Sequence, residues 1–120
     1  MGTPAEHRLK ADRHARFLAT ISDEFPDWLA TVAFYTAVEW IEMMLAGRGH
    51  HSKSHFDRKS ALKKHFPNRA LNEAYNTLFN ASLDARYLSI ERCPAVDQIR
   101  SELIARRLDH ITKYAASYIS

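Results

Sequence analysis

The stretch from Trp28 to Ala46 runs nineteen residues without a basic side chain and with apolar residues on nearly every helical face. A segment of this kind belongs either in a membrane or in the middle of a core. Glu39 and Glu42 stand in its C-terminal half, and a carboxylate near a bilayer centre costs about 2.5–3.5 kcal/mol on insertion scales. The stretch is therefore read as the buried central helix of a folded domain. With 120 residues, 46% of them apolar, the chain can bury one core and not two, so residues 1–120 are read as a single domain. Three glycines and four prolines exclude collagen-like and low-complexity chains. The single cysteine, Cys93, excludes an internal disulfide framework and a multi-cysteine zinc site, and it suits a reducing compartment. Residues 1–8 are followed by no apolar run of signal-peptide length, so a cytoplasmic protein without a membrane segment is expected.

Capping residues and prolines divide the chain into helices. Thr3-Pro4-Ala5-Glu6 reads as a helix start, with Thr3 as N-cap, Pro4 at the first helical position and Glu6 placed for a capping box. That helix is expected to run to about Ile21 on a narrow stripe of Leu9, Phe17, Leu18 and Ile21. Pro26 opens the second helix, which ends at Ala46 with Gly47 as its C-terminal cap. Residues 48–53 read as a loop. Ser54 followed by Asp57 starts a third helix, and Pro67 stops it at Phe66. Asn68 caps a fourth, with Leu71, Tyr75, Leu78, Phe79, Ser82, Ala85 and Leu88 at helical spacing, broken at Cys93-Pro94. A fifth helix, over about 94–119, carries Ile99, Leu103, Leu108, Ile111, Tyr114 and Tyr118 on a stripe that wraps slowly around it. Short loops between long amphipathic helices predict an all-α, up-and-down antiparallel bundle of about four long helices plus one auxiliary helix.

The net charge of +3 conceals a strong polarity along the chain. Residues 22–47 carry five acidic side chains and no basic one, a block of −5; residues 48–71 carry seven basic against one acidic, a block of +6. The flanks add four basic against two acidic in residues 1–21, and six against six in residues 72–120. The basic block comprises Arg48, Lys53, Arg58, Lys59, Lys63, Lys64 and Arg69, interleaved with His50, His51, His55 and His65. Such a cluster attracts phosphates through counterion release, which makes Lys53, Lys59, Lys63, Lys64 and Arg69 candidate nucleic-acid contacts. A solvated helix face offset by the acidic segment before it accounts for the same pattern.

His51 and His55, four apart and close to His50 and Asp57, have a spacing at which imidazoles bind zinc. However, His50 and His51 fall before the helix cap and no His-Glu-x-x-His pattern occurs, so neither metal nor cofactor is expected. No nucleophile elbow and no glycine-rich phosphate loop is present. Glu39 and Glu42 are neighbours on one helix surface; a buried carboxylate needs a partner, and Arg86 is the candidate for Glu39. Arg86 itself either snorkels beside Tyr87 or joins His55 and Arg58 in a cleft. There the guanidiniums would hold a phosphate bidentately and the imidazole would serve as acid or base.

The combination Trp28-x3-Val32-x-Phe34-Tyr35-x-Ala37-Val38, then Ser54-His55-x2-Arg58, then Tyr75-x2-Leu78-x3-Ser82-x3-Arg86-Tyr87 resembles the HEPN superfamily, the higher eukaryotes and prokaryotes nucleotide-binding domain. The likeness spans about residues 26–90 and is nearest to small stand-alone prokaryotic members. It implies an all-α up-and-down bundle, a homodimer, and RNA or a nucleotide as ligand. Many members are metal-free ribonucleases of toxin–antitoxin or defence systems; others are non-catalytic modules that bind RNA, nucleotides or proteins. The family's ribonuclease motif, an arginine, a polar neighbour and a histidine a few residues on, is approached by Arg48 to His55 and by Arg58 to His65, with Gly49 and Lys59 at the polar position. For a cleaving enzyme the resemblance implies His55 as acid or base, with Arg58, Arg48 and Arg86 stabilising charge at phosphorus. The alternative is a non-catalytic, antitoxin-like or scaffold protein whose last helix docks a partner or a second copy through Tyr114 and Tyr118.

Overall fold

Short polar side chains that take up free backbone N–H groups set most of the helix starts. In the computed structural model, which describes residues 2–119, Thr3 Oγ1 accepts from Glu6 N at 3.1 Å and opens α1 (Pro4–Thr20). Helix α2 (Pro26–Gly47) starts on Pro26 without a side-chain cap. Ser54 Oγ accepts from Asp57 N at 3.1 Å to open α3 (His55–His65), and Asn68 Oδ1 accepts from Leu71 N at 2.9 Å to open α4 (Arg69–Tyr87). After a single 3₁₀ turn at Ile90–Arg92, the last helix, α5, is continuous over 96–119. Ser54→Ala is expected to lower stability by about 1 kcal/mol, read as a lower urea midpoint at unchanged slope.

The fold is an all-α bundle with five helices and, among the described residues, no strand. Helix α2 is its axis. Fourteen of its residues are buried, between α1 on one side and α4 and α5 on the others. It is long and apolar enough to cross a membrane, and most of it is buried inside the bundle. Specific pairs give the directions. His7 near the start of α1 meets Glu39 late in α2, and Tyr35 early in α2 meets Arg86 at the end of α4, so both neighbours run antiparallel to α2. Arg100 at the start of α5 bonds Ile21 O and Asp23 beside the α1–α2 turn, while Tyr118 at its end meets Arg48 just past α2. Helix α5 is therefore parallel to α2, and α1, α2, α4 and α5 alternate up and down. Helix α3 is the auxiliary element, laid across α2 and α4.

Three details differ from the sequence reading. Gly47 is the last residue of α2 and not a left-handed cap; Gly49 has that conformation, with φ 77°. A Cβ on Gly47 would lie 3.3 Å from the Tyr118 hydroxyl, so its small size lets α5 close over the end of α2. Helix α4 ends at Tyr87 and not at Cys93, because Leu88 to Arg92 are exposed and continued helix there would bury nothing. The third concerns α5, which widens to an i→i+5 pattern over Ile99–Leu108. Ile99 and Leu108 are nine residues apart, about 2.5 turns of an ordinary α-helix, which would put them on opposite faces. The wider turns bring both into the core, at 0% and 6% exposure.

Candidate nucleic-acid interface

Helix α3 and the first half of α4 run antiparallel, joined at Pro67, and leave a groove of about 370 Å³ between them. Lys59 and Lys63, four apart and thus on one face of α3, form one wall. Arg69, Asn72, Glu73 and Asn76 of α4 form the other, and Asn68 closes the end. Three cations stand against one carboxylate. Arg69 is partly neutralised by Glu73 at 2.9 Å, and this contact holds the exposed Glu73 carboxyl below the usual carboxylate range. The Asn72 amide nitrogen donates to Phe66 O at 2.9 Å and Asn68 O at 2.7 Å, which leaves its carbonyl oxygen open. Asn76 has no protein partner among the described residues. Asn76 thus offers a donor–acceptor amide of the kind that reads nucleobase edges, and Asn72 an acceptor alone.

One turn before Lys59 on α3 sits His55, at the end of a part-buried relay. Arg58 Nε donates to Glu42 Oε1 at 2.7 Å, and an Arg58 terminal nitrogen donates to the Tyr75 hydroxyl at 3.4 Å. That hydroxyl lies 2.7 Å from His55 Nδ1. Tyr75 is fully buried, and a buried hydroxyl must donate as well as accept. His55 Nδ1 is its acceptor, so the neutral ring carries its proton on Nε2, which has no protein partner among the described residues. The imidazole lies flat on Phe79, with ring centroids 3.4 Å apart and an interplanar angle of 8°.

Burial first, and then the charges of Arg58, Lys59 and Arg86, pull the His55 pKa below its ordinary 6.5. Burial pushes the Tyr75 hydroxyl up, against the opposing pull of Arg58. Burial opposes the charge on Arg58, but its bonds to Tyr75 and Glu42 outweigh this and raise its pKa. In an NMR titration His55 is expected to protonate below 6.5, with Lys59→Gln moving the midpoint upward. The folded state binds fewer protons here than the unfolded chain. The neutral ring's contribution to stability is therefore complete above about pH 6.5 and is lost as the pH falls from there through the folded-state pKa.

The structure brings together His55, Arg58 and, at the rim, Arg86. The Arg86 Nε and one terminal nitrogen donate to Ser82, at 3.2 Å each; the other donates to the Tyr35 hydroxyl at 3.2 Å, between the Tyr35 and Tyr87 rings. Arg48 lies elsewhere. Its Nε donates to the Tyr118 hydroxyl at 3.2 Å and its guanidinium covers Phe66 at the far end of α3, about 16 Å of helix away from His55. His65, seven residues after Arg58, faces His50 with ring centroids 6.1 Å apart. Neither arginine–histidine pair therefore meets. Lys53 and Lys64 are exposed and do not line the groove.

Other sequence expectations are redistributed. Glu39 pairs with His7 at 3.2 Å and not with Arg86, while Glu42 takes Arg58. Asp57 accepts from Lys53 N and pairs with His50 at 3.2 Å, which fixes the 48–53 loop to the start of α3. Among the described residues no three His, Cys, Asp or Glu side chains converge as metal ligands would. Tyr114 and Tyr118 pack edge-on against Phe66 and are occupied within the chain.

Sequence reasoning missed the roles of Glu42, Asn72, Asn76 and Phe79 as parts of one site. It placed Tyr75 on the packing stripe and in the family-like signature without a role for its hydroxyl; the signal for more was a tyrosine at a core position, whose hydroxyl needs a partner. No protein-family model matches this chain, no curated protein is significantly similar to it, and no solved structure matches its fold.

Proposed function

We propose that the chain binds RNA or nucleotide phosphates along the α3–α4 groove. The observation that supports this most directly is a rail of two cations without an ion pair among the described residues, Lys59 and Lys63, leading to the Nε2–H of His55 on the same helix face. Phosphate oxygens would accept from the lysines and from Nε2–H, while Asn76 presents its amide and Asn72 its carbonyl oxygen to base edges. Arg58 is a positioning residue here: bound to Glu42 and Tyr75, it holds the hydroxyl that orients the imidazole. Binding is favoured over cleavage because the neutral ring offers a donor at Nε2 and, among the described residues, only Phe56, Tyr75 and Phe79 pack against it, with no second imidazole as a complementary acid or base.

Fluorescent RNA titrated at several salt concentrations tests this. Lys59→Ala and Lys63→Ala are each expected to weaken binding and to lower the salt slope by about 1. No binding at low salt, or affinity indifferent to salt, would refute phosphate contact. Incubating wild type and His55→Ala with structured and unstructured RNA in EDTA decides on chemistry. Cleavage by the wild type alone would make His55 catalytic in a metal-free ribonuclease.

A further inference from the structure

Two unrelated surface features of this chain are complementary to each other. The first is a cleft at the end of the bundle where α1 turns into α2, lined by Phe17, Ile21, Phe25 and Trp28. Phe17, Phe25 and Trp28 are about half exposed, although side chains of this size are normally buried or covered. The acidic residues around it are largely unmatched: Asp23 is paired with Arg100, but Glu24, Asp27 and nearby Asp84 have no ion pair among the described residues. Burial first, and then the charges of Asp27 on α2 and Asp84 on α4, raise the pKa of Cys93. The second feature is the exposed face of α3 that carries Phe56 and the lysine wall of the groove. Phe56 is 81% exposed, the highest value of any large apolar side chain among the described residues. Lys59 and Lys63 follow it at i+3 and i+7, hence on its side of the helix, and carry no ion pair among the described residues.

We infer that the acidic, aromatic end of one chain receives α3 of a second copy, with Phe56 seated in the Phe17–Trp28 cleft and the lysines facing Glu24 and Asp27. Both features are then satisfied by one contact. The partner's chemistry is specified by the cleft: an aromatic anchor on a cationic helix, which this chain itself carries. Dimensions agree, since α3 is about 16 Å long and the bundle measures 25 by 24 Å across its short axes. The contact is heterologous, because cleft and knob are different surfaces. It therefore closes into a ring or continues as a filament, unlike the symmetric dimer of the family resemblance. Its charges lie at the surface, so the assembly is salt-sensitive.

Sedimentation velocity on the purified chain, without RNA, tests this independently of the groove's ligand. At low salt the wild type is expected to sediment as species larger than a dimer and to return to monomer at high salt. Phe56→Ala and Trp28→Ala should each remain monomeric, with unchanged far-UV circular dichroism because both side chains are exposed. Mixing the two variants should then give a one-to-one dimer and nothing larger, since one retains only the cleft and the other only the knob. Asp27→Lys, which leaves the aromatic side chains in place, should also abolish assembly. A wild type that is monomeric at low salt overturns the inference. So does a dimer that persists in both aromatic variants, or a mixture that stays monomeric while the wild type assembles.

Discussion

Replacing Glu42 by alanine is expected to cost the fold about 3–5 kcal/mol. The carboxylate is 7% exposed, and its partner Arg58 is largely buried against Tyr75. Removing one member of such a pair leaves a charge that has lost its water and its counter-charge together. The Arg58 guanidinium would keep only a 3.4 Å contact to the Tyr75 hydroxyl. Replacing both partners at once by apolar residues of similar size, as in Glu42→Leu with Arg58→Met, should recover most of the loss, because desolvation of the pair disappears with the pair. Urea denaturation of the two single variants and the double variant measures this directly. A single-variant loss below about 1 kcal/mol would put the pair among exposed ion pairs and contradict its burial.

The second large effect tests the widened part of α5. Ile99→Ala and Leu108→Ala are each expected to destabilise by about 2–5 kcal/mol, the range for aliphatic side chains removed from a packed core. Regular α-helical turns from 99 to 108 would leave one of the two on the solvent side, where truncation changes stability by no more than about 0.5 kcal/mol. Thermal melts of the two variants therefore discriminate between helix geometries. Two comparable large losses agree with the i→i+5 turns; one large and one negligible loss does not.

The helix boundaries were legible because their signals are local. Thr3, Ser54 and Asn68 cap through their own side chains within three residues, and Pro26 acts at its own position. The widened segment of α5 was visible only as a stripe that failed to stay in phase, and no single residue announces it. The site was legible by residue type more than by partnership. His55, Arg58 and Arg86 come together, but Glu39 and Glu42 are three apart on a helix apolar on nearly every face. Which of them meets α3 depends on the rotation of α2 in the bundle. Arg48 is close to His55 in sequence, yet the left-handed turn at Gly49 and the aromatic pair Phe66 and Tyr118 hold it at the opposite end of α3. Asn72 and Asn76 carry no charge, so a search for basic residues passes over them although they line the same groove as Lys59 and Lys63.

The two tryptophans occupy opposite environments: Trp40 is 5% exposed with its indole nitrogen unbonded in the core, and Trp28 is 55% exposed at the lip of the cleft. They provide two built-in optical channels. Trp40, buried in the core, is expected to emit to the blue, shielded from iodide, and to report whether the bundle is packed. Trp28 emission, red-shifted and open to the quencher, reports what covers the end of the molecule, so global unfolding and surface occlusion are separable in one unlabelled sample.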